Sequence, residues 1–75
     1  MNATQSSVLL FKTNIHSLYQ QLRLKFLLDQ FVQIERWCID TEDQDRVLKV
    51  VSASLSSDGI MAEVRKLGFE CSELE

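Results

Sequence analysis

Between Leu9 and Leu18 the apolar pattern changes from a two-residue period to a helical one, and this change limits the possible folds more than any other feature of the sequence. Leu9, Phe11, Thr13 and Ile15 fall on one side of an extended run from Ser7 to Asn14, while Leu10, Lys12 and Asn14 alternate onto the other. From Leu18 to about Phe31 neither Gly nor Pro interrupts a series of good helix formers, which predicts the longest helix of the chain. Ser17, immediately before it, suits the N-cap, where a hydroxyl can accept from a free backbone N–H of the first turn. The stretch Lys12 to Gln20 is thus a strand-to-loop-to-helix turn, and it is the place to look for a site.

The helix carries two apolar stripes. Leu24, Leu27, Leu28 and Phe31 follow the i, i+3, i+4, i+7 spacing of one buried face. Leu18, Tyr19, Leu22 and Phe26 form a second stripe on another side, with Gln20, Arg23, Lys25 and Gln30 between the two. A two-layer domain needs only one such face.

Further along, Gln33 to Asp40 reads as a strand with Ile34, Trp37 and Ile39 inward. The step from 34 to 37 breaks strict alternation and predicts a bulge near Glu35 and Arg36. Thr41 to Asp45 is an acidic turn. Arg46 to Ser52 is a third strand, with Leu48 and Val50 on one side and Val47, Lys49 and Val51 on the other. A second helix is expected from Ser56 or Ser57, with Asp58 near its positive end, Ile60, Val64 and Leu67 inward, and Gly68 as its stop. Phe69 and Cys71 then alternate with Glu70 and Ser72 in a short last strand. The order βαββαβ predicts an α+β, ferredoxin-like sandwich: a four-stranded antiparallel sheet with both helices on one face.

A length of 75 residues allows one domain, 1–75, with residues 1–6 expected to be flexible; only about 60% of the unfolded surface can be buried in a chain so short. The net charge is -3 and Lys and Arg are scattered among acids, so no basic stripe for nucleic acid exists. The first apolar run is short and interrupted by Lys12, which encodes neither a signal peptide nor a membrane span. Cys38 and Cys71 lie far apart and in no metal-binding spacing, as expected of packing thiols in a reducing, cytoplasmic setting.

Four segments, Phe11-Lys12-Thr13-Asn14-Ile15, Trp37-Cys38-Ile39-Asp40-Thr41, Val47-Leu48-Lys49-Val50 and Lys66-Leu67-Gly68-Phe69, resemble, in the right order, those of a small bacterial branch of heavy-metal-associated domains, the family of the copper chaperones. The resemblance implies a sheet ordered 4-1-3-2 with the motif loop at one end. In that family a Met-x-Cys-x-x-Cys motif on this turn holds a soft metal ion through two thiolates. Here Ile15 stands in the Met place, Ser17 in that of the first Cys and Gln20 in that of the second. A soft metal needs thiolate, imidazole or thioether donors, so Ser17 and Gln20 do not replace a Cys pair and no metal or other cofactor is expected. With strands 2 and 4 at opposite edges of the implied sheet, Cys38 and Cys71 are not expected to pair.

His16 is the single histidine and the weak candidate for a metal ligand. Glu42, Asp43 and Asp45 lack the spacing, the central Gly and the closing Glu of a calcium loop. Ser17 beside His16 is a pair of sequence neighbours on a turn, and no nucleophile with a positioned base is expected, hence no enzyme. Two functional expectations follow. One is a non-catalytic interaction or self-association module in which Leu18, Tyr19, Leu22 and Phe26 meet a second copy or another protein. The alternative is copper or zinc trafficking through a non-standard site, with His16 and an intermolecular Cys as ligands.

Overall fold

A computed structural model describes residues 5–74 of the chain, so most of the segment expected to be flexible, 1–6, lies outside the described residues. The elements follow the expected order: β1 (Ser7–Thr13), α1 (Leu18–Leu28), β2 (Ile34–Asp40), β3 (Val47–Ser52), α2 (Ser57–Lys66) and β4 (Cys71–Glu73). The strands form one antiparallel sheet in the order β2-β3-β1-β4. This α+β arrangement is the ferredoxin-like one, and its strand order is 4-1-3-2 seen from the other edge.

Register fixes what each face carries. The row Ile39, Leu48, Phe11 and the row Trp37, Val50, Leu9 point toward the helices, whereas Cys38, Lys49 and Leu10 and then Arg36, Val51 and Val8 point away. Phe11, Leu48 and Val50 are fully enclosed and pack in one cluster with Leu24 and Leu28 of α1 and Ile60, Met61 and Val64 of α2. Because both helices share a core with the same strand face, both lie on that face. The other face is open, apart from Val51, which is buried between its cross-strand neighbours Val8 and Arg36. Val51 thus lies on the side opposite Leu48 and Val50, as the alternation has it.

The bulge sits where the alternation broke, between Ile34 and Arg36 in the pairing with β3. Without that extra residue Trp37 and Ile39 would turn outward, since a one-residue slip exchanges the faces of a strand. Ser52, enclosed at the end of β3, closes the adjoining turn: its Oγ donates to the Gln33 carbonyl at 2.7 Å and accepts from the N–H groups of Ser54 and Leu55, each at 3.2 Å.

Several boundaries differ from the sequence reading. Helix α1 ends at Leu28, short of the expected Phe31, because the chain tightens after Asp29: Phe31 N–H bonds back to the Leu28 carbonyl at 3.1 Å, three residues earlier. Phe31 is therefore half-buried beyond the helix and outside its inner stripe. Strand β3 begins at Val47 because Arg46 adopts a left-handed conformation (φ 46°) that no extended pairing accommodates. Strand β4 starts at Cys71 with Phe69 just before it, still buried against the core. Gly68, with φ 95°, turns the chain out of α2 in a conformation that side-chain-bearing residues rarely adopt.

Candidate functional site: the capped loop and the outer face of the first helix

The loop between β1 and α1 is tied on every side. Ile15 is fully enclosed, and its N–H donates to Thr13 Oγ1 at 3.2 Å while that hydroxyl donates to the Arg46 carbonyl at 2.6 Å. Asn14 Oδ1 accepts from the Glu70 N–H at 3.0 Å, joining the loop to the segment before β4. Ser17 is the N-cap, as expected: its Oγ accepts from the Gln20 N–H at 3.1 Å. The Gln20 carboxamide answers, its Oε1 accepting from the N–H groups of Ser17 at 3.1 Å and His16 at 2.9 Å. This is a capping box, legible in the Ser-x-x-Gln spacing although the sequence reading assigned only the Ser half.

Ser17 and Gln20, at the two positions where the resembling family places its thiolates, thus have their side-chain oxygens committed to the helix terminus. His16 is exposed, with Nδ1 3.2 Å from the Asn14 carbonyl oxygen. Among the described residues no group of three or more His, Cys, Asp or Glu side chains is placed to hold a metal ion. The acids of the β2–β3 turn organise backbone instead: Asp40 Oδ1 accepts from the N–H groups of Glu42 and Asp43, and Asp43 Oδ1 from that of Asp45. Both cysteines are free thiols, Cys38 exposed on β2 and Cys71 buried on β4, with the two central strands between them. Burial pushes the Cys71 thiol up to about 11 against the pull of the Arg65 guanidinium, so it is a packing group and no nucleophile.

The outer face of α1 is the conspicuous surface. Leu18 is 77% exposed, Tyr19 71%, Leu22 52% and Phe26 74%, so this stripe stays in solvent while Leu24 and Leu28 fill the core. Both cations of the helix have polar partners. Arg23 donates to the Leu67 carbonyl at 3.0 Å and lies 5.2 Å from the Phe69 ring centroid, and Lys25 pairs with Asp29 at 2.7 Å. Leu18, Tyr19, Leu22 and Phe26 are themselves neutral, with the Lys25–Asp29 ion pair at the C-terminal end of their side of the helix.

At the end of α1, an open depression of about 340 Å³ is lined by Leu28, Asp29, Phe31, Ile34, Glu35, Arg36 and Trp37. It arises where the early helix end meets the β2 bulge, a juxtaposition with no signal in the sequence. The hydrogen bond from Lys25, and a second from Trp37 Nε1 at 3.3 Å, hold the Asp29 carboxyl below its ordinary range. With Arg36 beside Glu35 and Lys25 on Asp29, the depression has no charge of one sign to select a ligand.

No helix among the described residues is long and apolar enough to cross a membrane. Comparison of the chain with protein-family models, with curated proteins and with solved structures finds no match.

Proposed function

We propose that this protein is a non-catalytic interaction module that pairs with a second copy of itself through the outer face of α1. The observation that carries the reading is the exposure of Leu18, Tyr19, Leu22 and Phe26 in one uncharged stripe. At roughly 150–250 Å² for a large side chain, these exposures leave on the order of 500 Å² of apolar surface per copy, the upper range of what a monomer commonly shows. Pairing two such faces would bury about 1,000 Å², the lower bound for a specific interface, which suits a dimer of weak to moderate affinity. Two-fold pairing is the commonest way for one patch to cover itself.

The same reading makes the chain a relative of heavy-metal-associated domains in which the metal-holding positions, Ser17 and Gln20, cap a helix. What supports it is the strand order together with the strand-loop-helix turn at those positions. Metal trafficking through His16 gains no support from the geometry, since a lone imidazole beside a backbone carbonyl lacks the further donors a zinc or copper site needs. The free thiols Cys38 and Cys71 suit a cytoplasmic setting.

Sedimentation equilibrium tests the proposal. The wild-type chain is expected to form dimers at micromolar to high-micromolar concentration, and Leu22→Glu with Phe26→Glu to be monomeric with an unchanged far-ultraviolet dichroism spectrum. A wild-type monomer throughout that range, or a double variant that unfolds instead of dissociating, overturns it.

A further inference from the structure

The stripe on α1 is lopsided. Taking Leu22 as the centre and 100° per residue, Tyr19 and Phe26 lie on the flank toward Arg23, whose guanidinium is over Phe69 near α2, while Gln21 and Lys25 lie on the opposite flank. One flank carries both aromatic rings; the other carries Leu18 beside the polar Gln21 and Lys25. When two identical helices pair antiparallel about a two-fold axis, like flank meets like flank; when they pair parallel, each flank meets the other kind.

We infer that the self-association proposed above is an antiparallel crossing of α1 on α1 centred at Leu22, in which Tyr19 of each copy packs on Phe26 of the other. The inference rests on that reading and adds the direction and register of the pair. Three properties of the helix support it. First, Tyr19 and Phe26 lie about equally far from Leu22 along the axis, roughly 4.5 and 6 Å at 1.5 Å per residue, so an antiparallel turn about Leu22 brings the ring of one to the level of the other. Aromatic rings in contact favour each other beyond the area they bury. A parallel pair would set Phe26 against the Lys25 flank, whose ammonium is already bound to Asp29. Second, Leu18, Leu22 and Phe26 form an i±4 ridge, and two such ridges interlock in the crossing most used by packed helices, with closest approach at the middle residue. Leu22 is that residue, the least exposed of the four at 52%. Third, antiparallel neighbours set the positive end of each helix dipole beside the negative end of the other.

Cross-linking with a short bis-maleimide distinguishes the arrangements. The chain carries Cys38→Ser to remove the exposed thiol, and Cys71, 4% exposed in the core, serves as the unreactive background. Leu22→Cys is expected to link to itself at least tenfold faster than that background. A mixture of Tyr19→Cys and Phe26→Cys chains is expected to link across, whereas Phe26→Cys alone stays near background because its two copies sit about 12 Å apart along the axis. Efficient self-linking of Phe26→Cys, or failure of Leu22→Cys to link in a sample that sediments as a dimer, overturns the antiparallel register and leaves self-association standing. A chain that sediments as a monomer overturns both. Should a cysteine variant fold poorly, nuclear Overhauser effects between the Tyr19 and Phe26 rings of different copies, in a mixed-label sample of wild-type dimer, give the same reading. Contacts from Phe26 to the Lys25 methylenes in their place reverse it.

Discussion

The two helices lie on the same sheet face and begin alike, yet their outer surfaces follow opposite rules. Each starts at a serine whose hydroxyl accepts from the backbone N–H three residues on, Ser17 from Gln20 and Ser56 from Gly59, both at 3.1 Å. Helix α2 buries Ile60, Met61 and Val64 and turns Asp58, Ala62, Arg65 and Lys66 to solvent, an ordinary amphipathic division. Helix α1 buries Leu24 and Leu28 and still turns Leu18, Tyr19, Leu22 and Phe26 outward. Folding of the single chain accounts for all of α2 and for the inner half of α1. The outer half of α1 adds nothing to the monomer's core, and the proposed pairing would account for its composition.

The comparison is sharpest where one helix supplies both members of a pair. Leu24→Ala removes a fully enclosed side chain and is expected to destabilise the monomer by about 2–5 kcal/mol, as Val64→Ala should do to a lesser degree from α2. Phe26→Ala, two residues away and 74% exposed, should change monomer stability by no more than about 0.5 kcal/mol while weakening the dimer. Urea denaturation at low micromolar concentration, where mass action disfavours the pair, measures the first effect, and repetition at high concentration adds the second. If Phe26→Ala costs the dilute monomer as much as Leu24→Ala does, the division of α1 into a folding face and a docking face is wrong.

The caps come next in size. Replacing Ser17 or Ser56 by Ala removes one side-chain acceptor at each helix start, which typically costs about 1 kcal/mol. The two differ in that Gln20 returns bonds to His16 and Ser17, whereas the Ser56 hydroxyl acts alone. Ser17→Ala should therefore cost more when Gln20 is also changed to Ala, with the pair together approaching about 2 kcal/mol. A double-variant cycle on chemical denaturation tests this. A Gln20→Ala change without effect in either background would mean that the reciprocal half of the box contributes nothing.

Much of this molecule can be read from residue order because local periods and tertiary faces agree in it. The alternation through Phe11 and Thr13, the break between Ile34 and Trp37, the serines before each helix and Gly68 after the second are each found in the role their chemistry predicts. The misplaced features depend on contacts between segments distant in sequence. Phe31 kept the helical period but lies past a turn that tightens as the chain heads for β2. Val51 lies on the face its alternation assigns, and only its burial there has no signal in the period. The depression beside Trp37 exists only because a helix end and a bulge meet. The outer stripe was legible because an apolar period continues around a helix that has one sheet to pack on.

The smallest expected effect concerns how each helix ends. Helix α2 is closed by Gly68 and by Arg65 Nε donating to the Cys71 carbonyl at 2.9 Å, with no carboxyl involved. Helix α1 is closed by Asp29, whose carboxylate accepts from Lys25 at 2.7 Å and from Trp37 Nε1 at 3.3 Å. Because those bonds hold its pKa below the ordinary 3.8, protonation is harder in the folded chain than in the unfolded one. The resulting stabilisation is fully present well above the ordinary 3.8 and fades as the pH falls through the lowered folded value. The group is exposed and its bonds compete with water and salt, so the change in unfolding midpoint should be small. Asp29→Asn keeps an oxygen for Trp37 and removes the charge. Wild-type and Asp29→Asn midpoints, followed by Trp37 fluorescence, should differ slightly near neutral pH and converge in acid. A gap that persists unchanged below the wild-type transition would show that Asp29 acts through shape at the end of α1 and not through its charge.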